Sequence, residues 1–166
     1  VPRSASIDKV RRGAEHDGDP HLPVDKILFP TDLSDYANKT WPLVVEVARV
    51  LHAKVHLVHI LDLERITRYR RRDEKMAAFV NKLEATIKKQ LRDSTELTGI
   101  KHEIDVVEKH GGVAPGLMEL AEKLRIDLII MPAHGKSPLV PPFIGGVTER
   151  VVRMAHCPVL TVRHNQ

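Results

Sequence analysis

Five short apolar runs, separated by stretches with helical spacing, constrain this chain more than any other feature. They are "KILFPT" (26–31), "VHLVHIL" (55–61), "EIDVV" (103–107), "DLIIM" (127–131) and "PVLTV" (158–162). The first, second and fourth are nearly continuous in hydrophobicity, as strands covered on both faces of a parallel sheet are. Ala37, Trp41, Val44, Val45, Ala48 and Leu51 recur at helical spacing after a cap at Ser34. Pro42 falls inside that helix and is expected to bend it or break its first turns. Met76, Phe79, Val80, Leu83, Ile87 and Leu91 form a second stripe. Leu117, Leu120, Ala121 and Leu124 form a third, entered through Pro115. Val147, Val151, Val152 and Met154 form a fourth, entered at Gly145 and Gly146. This alternation predicts an α/β fold: a doubly wound, five-stranded parallel sheet with helices on both faces and right-handed crossovers. Trp41 and the methionines of the stripes read as core.

Residues 1–24, "VPRSASIDKVRRGAEHDGDPHLPV", show no sustained period and read as an N-terminal tail or linker before a domain spanning 25–166. The opening "VPRS" resembles a cloning remnant and takes no part in the fold expectation. His16, Asp17, Asp19 and His21 could evoke a metal site, but without a fixed geometry they read as solvated linker. No apolar run approaches the roughly 18 residues of a membrane span, and the N-terminus lacks the apolar stretch of a secretory signal. Cys157 is the only cysteine, which excludes an internal disulfide and fits a reducing cytoplasm. The formal charge is +4, yet aromatics are only 4%, with no stacking platform, so a nucleic-acid role is not expected. Much of the basicity sits in one run, Arg65, Arg68, Arg70, Arg71 and Arg72. That run reads as a solvated loop or frayed helix start. Its functional alternative is a docking surface for an acidic partner or an anionic membrane.

In doubly wound sheets, ligands bind beyond the carboxyl ends of the strands, where the winding reverses. The first strand ends at Pro30-Thr31-Asp32; the fourth ends at Met131-Pro132 and leads into a loop holding Gly135, Gly145 and Gly146. A strand, a glycine-containing loop and a helix N-terminus can together hold a phosphate. If the reversal falls between these strands, Asp32 and Gly135 face one crevice. Asp32 could accept hydrogen bonds from a ribose or base, or could cap the helix beginning near Ser34. His59 reads as a core histidine with one satisfied nitrogen, and His134, beside Gly135, is the better functional candidate. His56 lies on the opposite sheet face from His59, which excludes a two-histidine metal site on that strand. Ser34, Ser137 and Cys157 each lack an identifiable activating partner, so catalysis is not supported.

"KILFPTDLSDYA", "VHLVHILD" and "DLIIMPAHGKSPLVPPFIGGVTERVVRMAHCPVLTVR" together resemble the universal stress protein family over about residues 25–163. The resemblance joins the first-strand "PTD", the second-strand "HI", the late "HG" loop and a terminal "CPVLTVR". It implies strand order 3-2-1-4-5, a dimer as the usual state, and no firmly established catalytic activity. Some members bind ATP and others do not. The binders carry Gly, two residues, Gly, nine residues, then Gly followed by Ser or Thr. Here Pro132, Gly135, Gly145 and Gly146 hold those positions, so the spacing is intact while Pro132 and Gly146 depart in type. By resemblance Pro30, Thr31, Asp32 and Ile60 would surround adenosine. Met131, His134, Gly135, Gly145, Gly146, Val147 and Thr148 would line the phosphate side.

These observations frame a cytoplasmic stress-response domain regulated by an adenine nucleotide, AMP or ATP, bound weakly at the crevice between the first and fourth strands, with Mg²⁺ only if ATP binds. The alternative is a nucleotide-independent dimeric interaction module, and a weak ATP hydrolase is the most that enzymatic readings allow. In the implied strand order "PVLTV" (158–162) lies at a sheet edge, and Val159, Leu160 and Val162 are too apolar to leave bare. A homodimer through that strand is therefore expected.

Overall fold

A computed structural model describes residues 24–67, 74–95, 98–135 and 144–164. The tail histidines His16 and His21, Ser137, and Arg68, Arg70, Arg71 and Arg72 of the basic run lie outside the described residues. Ten elements follow in order: β1 (Lys26–Pro30), α1 (Asp35–Leu51), β2 (Lys54–Asp62), α2 (Leu63–Thr67), α3 (Glu74–Thr95), β3 (His102–Lys109), α4 (Val113–Leu124), β4 (Leu128–Pro132), α5 (Gly146–Met154) and β5 (Val159–Val162). The strands form one parallel sheet of order β3-β2-β1-β4-β5, as anticipated. The winding reverses between β1 and β4.

Strand alternation divides the core into two layers. Ile27, Phe29, Val55, Leu57, Leu61 and Ile130 pack under α1 and α3 against Ala37, Val44, Ala48, Val80 and Ile87. Leu28, Val58, Ile60, Ile129 and Met131 face the other way, against Ala114, Leu117, Met118 and Ala121 of α4 and Val151 of α5. Ile27, Leu28, Ile129 and Ile130 are wholly buried, each contributing about 1.5–3 kcal/mol relative to exposure. Both faces of the central strands are thus covered, which is why their sequences read as nearly continuous apolar runs. At the edge, β3 is only half covered, with Glu103 and Glu108 exposed.

The expected break at Pro42 does not occur: α1 runs unbroken from Asp35 to Leu51. Pro42 and Leu43 lie on the exposed side, while Thr40, Val44, Val45 and Ala48 are buried along the other. The proline removes one backbone donor on the solvent side, and packing of the opposite stripe keeps the helix continuous. Ser34 caps α1, its Oγ accepting from Ala37 N at 3.3 Å. Trp41 packs on Phe29 with ring centroids 5.6 Å apart, a core contact as expected, whereas Met154 of the fourth stripe is 42% exposed and does not join the core.

Candidate functional site

The crevice opens where β1 and β4 part. Among the described residues these strands pair only at Ile27↔Leu128 and Leu28↔Ile129. Beyond that point each turns to its other neighbour: Thr31 N donates to Val58 O of β2 (2.8 Å), and Ala133 N donates to Val162 O of β5 (2.8 Å). Because backbone groups alternate sides along a strand, the nitrogens of Pro30 and Pro132 face each other's strand across the gap. Neither has an N–H, so the gap cannot be closed by ladder bonds donated at those positions. The two prolines therefore donate nothing across the switch point and cost neither β1–β2 nor β4–β5 a bond.

On the β1 side, Thr31 is buried and its Oγ1 accepts from Leu33 N at 3.1 Å, stabilising the left-handed turn at Leu33 (φ 61°). Asp32 Oδ1 accepts from Ser34 N at 3.0 Å. Ser34 caps the helix and Asp32 Oδ1 braces that cap, which engages one of the two carboxylate oxygens. The other oxygen, Oδ2, points at Gly135: a Cβ built there would stand 2.4 Å from it. Asp32 and Gly135 do face one crevice. His59 is half-buried with Nδ1 2.7 Å from Thr31 O; since a carbonyl only accepts, Nδ1 carries the proton and steadies the turn. β2 continues past its last partner on β1, Val58, and places buried Ile60 beside the strand ends.

On the β4 side, Met131, Pro132 and Ala133 are buried, and His134 and Gly135 are half-buried above them. His134 lies 5.8 Å from the ring of Tyr36 on α1. Tyr36 was not singled out from sequence, although its place four residues after Asp32, in the first turn of α1, is the available signal. Gly145 closes the far wall: its N–H donates to Ala133 O (2.8 Å), and a Cβ there would lie 3.3 Å from the same oxygen. α5 starts here with no side-chain cap. Its first intrahelical bond runs from Glu149 N to Gly145 O (2.9 Å), so the N–H groups of Gly146, Val147 and Thr148 precede the ladder. A Cβ on Gly146 would meet nothing within 4 Å. Thr148 is buried, and its Oγ1 donates to Pro132 O (3.0 Å), so its hydroxyl ties α5 to β4 and its backbone N–H is what faces the helix entrance.

Among the described residues, the crevice thus brings together the N–H groups that precede the α5 ladder, the rings of His134 and Tyr36 and the Asp32 carboxylate, a composition suited to holding a ligand. Cys157 lies apart from the crevice, near Asp127; burial first, and then that carboxylate, push its thiol above the usual range, which suppresses the thiolate.

Comparison with known proteins places this arrangement. The universal stress protein family model matches residues 23–163. Universal stress protein MJ0531 of Methanocaldococcus jannaschii is 30% identical over 140 residues, covering 83% of this chain and 81% of that protein. The solved structure of MJ0577, from the same organism, superposes with a TM-score of 0.74 at 28% identity, over 87% of this chain and 99% of that one. Two more distant structures share the fold. One is a universal stress protein in complex with cAMP (19% identity, 86% of this chain and 99% of that one, TM-score 0.61). The other is an Arabidopsis thaliana family member with AMP bound (15% identity, 84% and 92% coverage, TM-score 0.57). With the family model spanning nearly all described residues and the sheet order matching, this chain belongs to the universal stress protein family.

Proposed function

We propose that this chain is a stress-response domain whose β1/β4 crevice takes an adenine nucleotide, AMP in preference to ATP. The observation that carries the reading is the pairing of Asp32 with Gly135. The carboxylate oxygen occupies the space a side chain at 135 would need, so the two strand ends are shaped around each other at the mouth of the crevice. Asp32 supplies an acceptor for ribose hydroxyls, buried Ile60 and Met131 supply apolar surface, and the N-terminus of α5 supplies donors for an anion. The AMP- and cAMP-bound relatives support this ligand class at the level of the shared fold.

Discrimination against a triphosphate follows from the two departures. Pro132 removes an N–H that a glycine would direct into the gap, and Gly146 offers no hydroxyl at the helix entrance. Mg²⁺ would accompany ATP only. Calorimetric titration of the full chain with AMP, and with ATP and Mg²⁺, tests the reading. AMP should bind the more tightly, and absence of saturable binding by either nucleotide would overturn it.

A second reading, a nucleotide-independent dimeric module, is favoured by the surface around β5. Among the described residues β5 pairs with β4 alone, so its other edge faces outward. Beside it Leu160 is 41% exposed, and Val152 and Met154 of α5 are 48% and 42% exposed. A second copy docking strand to strand would satisfy the backbone edge and cover these side chains.

A further inference from the structure

At the opposite end of the sheet, a histidine is buried with nothing to bond. His56, the third residue of β2, is 3% exposed, and neither ring nitrogen has a hydrogen-bond partner among the described residues. Leaving one such polar atom unsatisfied costs roughly 1–3 kcal/mol, so a buried imidazole without partners calls for an explanation. Its neighbours on β3 supply one. Register pairs His56 with Glu103 and Val58 with Asp105, and the two-residue period of a strand brings Glu103 and Asp105 to the same face as His56.

Glu103 Oε2 stands 3.4 Å from His56 Nδ1, an approach that does not make a hydrogen bond. Two ligands about 2.0–2.2 Å from a tetrahedral zinc ion lie about 3.4 Å from each other. The donor atoms of His56, Glu103 and Asp105 all fall within 4.8 Å of one another, close enough for a side-chain rotation to complete a three-ligand set. Lys54 is bonded to the other carboxylate oxygen, Oε1, which leaves Oε2 directed at the imidazole. Glu103's side chain is half exposed, giving an ion a route from solvent, while buried His56 anchors the inner side.

We propose that His56, Glu103 and Asp105 form a binding site for a divalent transition-metal ion, with zinc the best match to the geometry. One imidazole nitrogen and two carboxylates, with a fourth position left to water, make a mixed nitrogen and oxygen set of the kind zinc takes in open sites, whereas calcium and magnesium are held by oxygen ligands alone. The two carboxylate charges offset the ion despite nearby Lys54. The site lies near the N-terminal ends of β2 and β3, away from the β1/β4 crevice, and stands independently of the nucleotide reading.

The test uses the full chain stripped with a chelator and then titrated with Zn²⁺ by calorimetry and with Co²⁺ by visible absorption. One equivalent per chain should bind, with Co²⁺ giving the intense visible bands of tetrahedral coordination. Glu103→Gln and Asp105→Asn, at positions less buried than His56, keep the test valid should His56→Leu fold poorly. Each of the three should weaken Zn²⁺ by more than the roughly 10–100-fold that loss of an outer-shell partner costs. A joint His16→Ala and His21→Ala change in the tail should leave binding unaltered. The proposal is overturned if the parent chain shows no saturable binding, if the cluster variants bind as it does, or if the tail variant alone abolishes binding.

Discussion

On the proposed reading, restoring the glycine and the hydroxyl that the resemblance implies should strengthen ATP binding in this crevice, and the structure sets the size of the effect. Gly146→Ser meets no obstacle, since a Cβ there has open space within 4 Å. Its hydroxyl would donate to a charged phosphate, an interaction worth about 1.5–3 kcal/mol. Pro132→Gly restores an N–H on the side of β4 that faces the gap, and the β4–β5 ladder is untouched because Ala133 N supplies that bond to Val162 O. The restored donor falls in the same energy range, while glycine in a strand costs roughly 0.5–1 kcal/mol of fold stability. The double variant should therefore bind ATP with Mg²⁺ about 3–6 kcal/mol more tightly than the parent, roughly a hundredfold to ten-thousandfold. AMP affinity should change far less, because the Asp32 side of the crevice is unaltered. Titration calorimetry with both nucleotides on parent, single and double variants reads this directly, and thermal melts check that each variant is folded. Sub-micromolar ATP binding by the parent would refute the reasoning, as would a folded double variant that binds ATP no better.

Three further outcomes are expected. Gly135→Ala places a methyl 2.4 Å from Asp32 Oδ2, so AMP and ATP binding should both fall by at least about tenfold while Gly146→Ala leaves AMP binding near parental; equal effects at the two positions would sink the crevice assignment. Leu160→Lys should split a homodimer into monomers by sedimentation velocity, whereas deletion of residues 1–24 should leave it intact; a parent that is monomeric at micromolar concentration counts against the β5 interface. Burial lowers the pKa of His56 below the ordinary 6.5, outweighing the pull of Glu103 and Asp105 in the other direction, with Lys54 and Lys26 adding to the lowering. The unfolded chain then takes up a proton that the folded chain refuses, so the stabilising contribution is present above about pH 6.5 and is lost as pH falls through the folded pKa. Denaturation in chelator at pH 8 and pH 5.5 should show His56→Leu losing less stability on acidification than the parent, and equal losses would contradict the sign.

All five strands were readable in advance, and most plainly those where burial is two-sided. β1, β2 and β4 stand out because nothing polar interrupts Ile27–Phe29, Leu57–Val58 or Ile129–Met131. β3 begins at His102, one residue earlier than its apolar run, because an edge strand needs hydrophobic residues only where something covers it. α2, five residues from Leu63 to Thr67, is too short to display a helical period. Pro42 does not break α1 because helix-breaking propensity is local, while the stripe through Val44, Val45 and Ala48 is a tertiary contact. At the site, meeting of Asp32 and Gly135 was legible from strand ends alone. The division of labour between Asp32 and Ser34 was not, since either oxygen could satisfy the helix entrance until the turn at Leu33 chooses. The cluster on His56 was hidden for a different reason: it depends on which β3 residue lies opposite, and register between strands 40 residues apart has no local signature.

The paired prolines add a consequence for how such a crevice can change. If the opening at the switch point depended on the glycine motif, altering the motif would let β1 and β4 zip together and the site would disappear. Here the gap is maintained by backbone chemistry outside the three glycines: Pro30 and Pro132 present no donors to each other's strand, and Thr31 and Ala133 are engaged with β2 and β5. On the proposed reading Pro132 withholds a phosphate contact, while its neighbour Ala133 keeps β4 engaged with β5. The same substitution can lower triphosphate affinity while preserving the cavity, leaving a space that still accepts a smaller nucleotide. It also predicts an asymmetry between the two prolines. Pro132→Gly returns a donor that a ligand can use, whereas Pro30→Ala returns one directed at β4 from the adenosine side, where it favours extending the β1–β4 ladder. Pro30→Ala should therefore weaken AMP binding without improving ATP, opposite in sign to Pro132→Gly, and the two variants measured side by side by calorimetry separate a gap held by backbone chemistry from one held by loop shape.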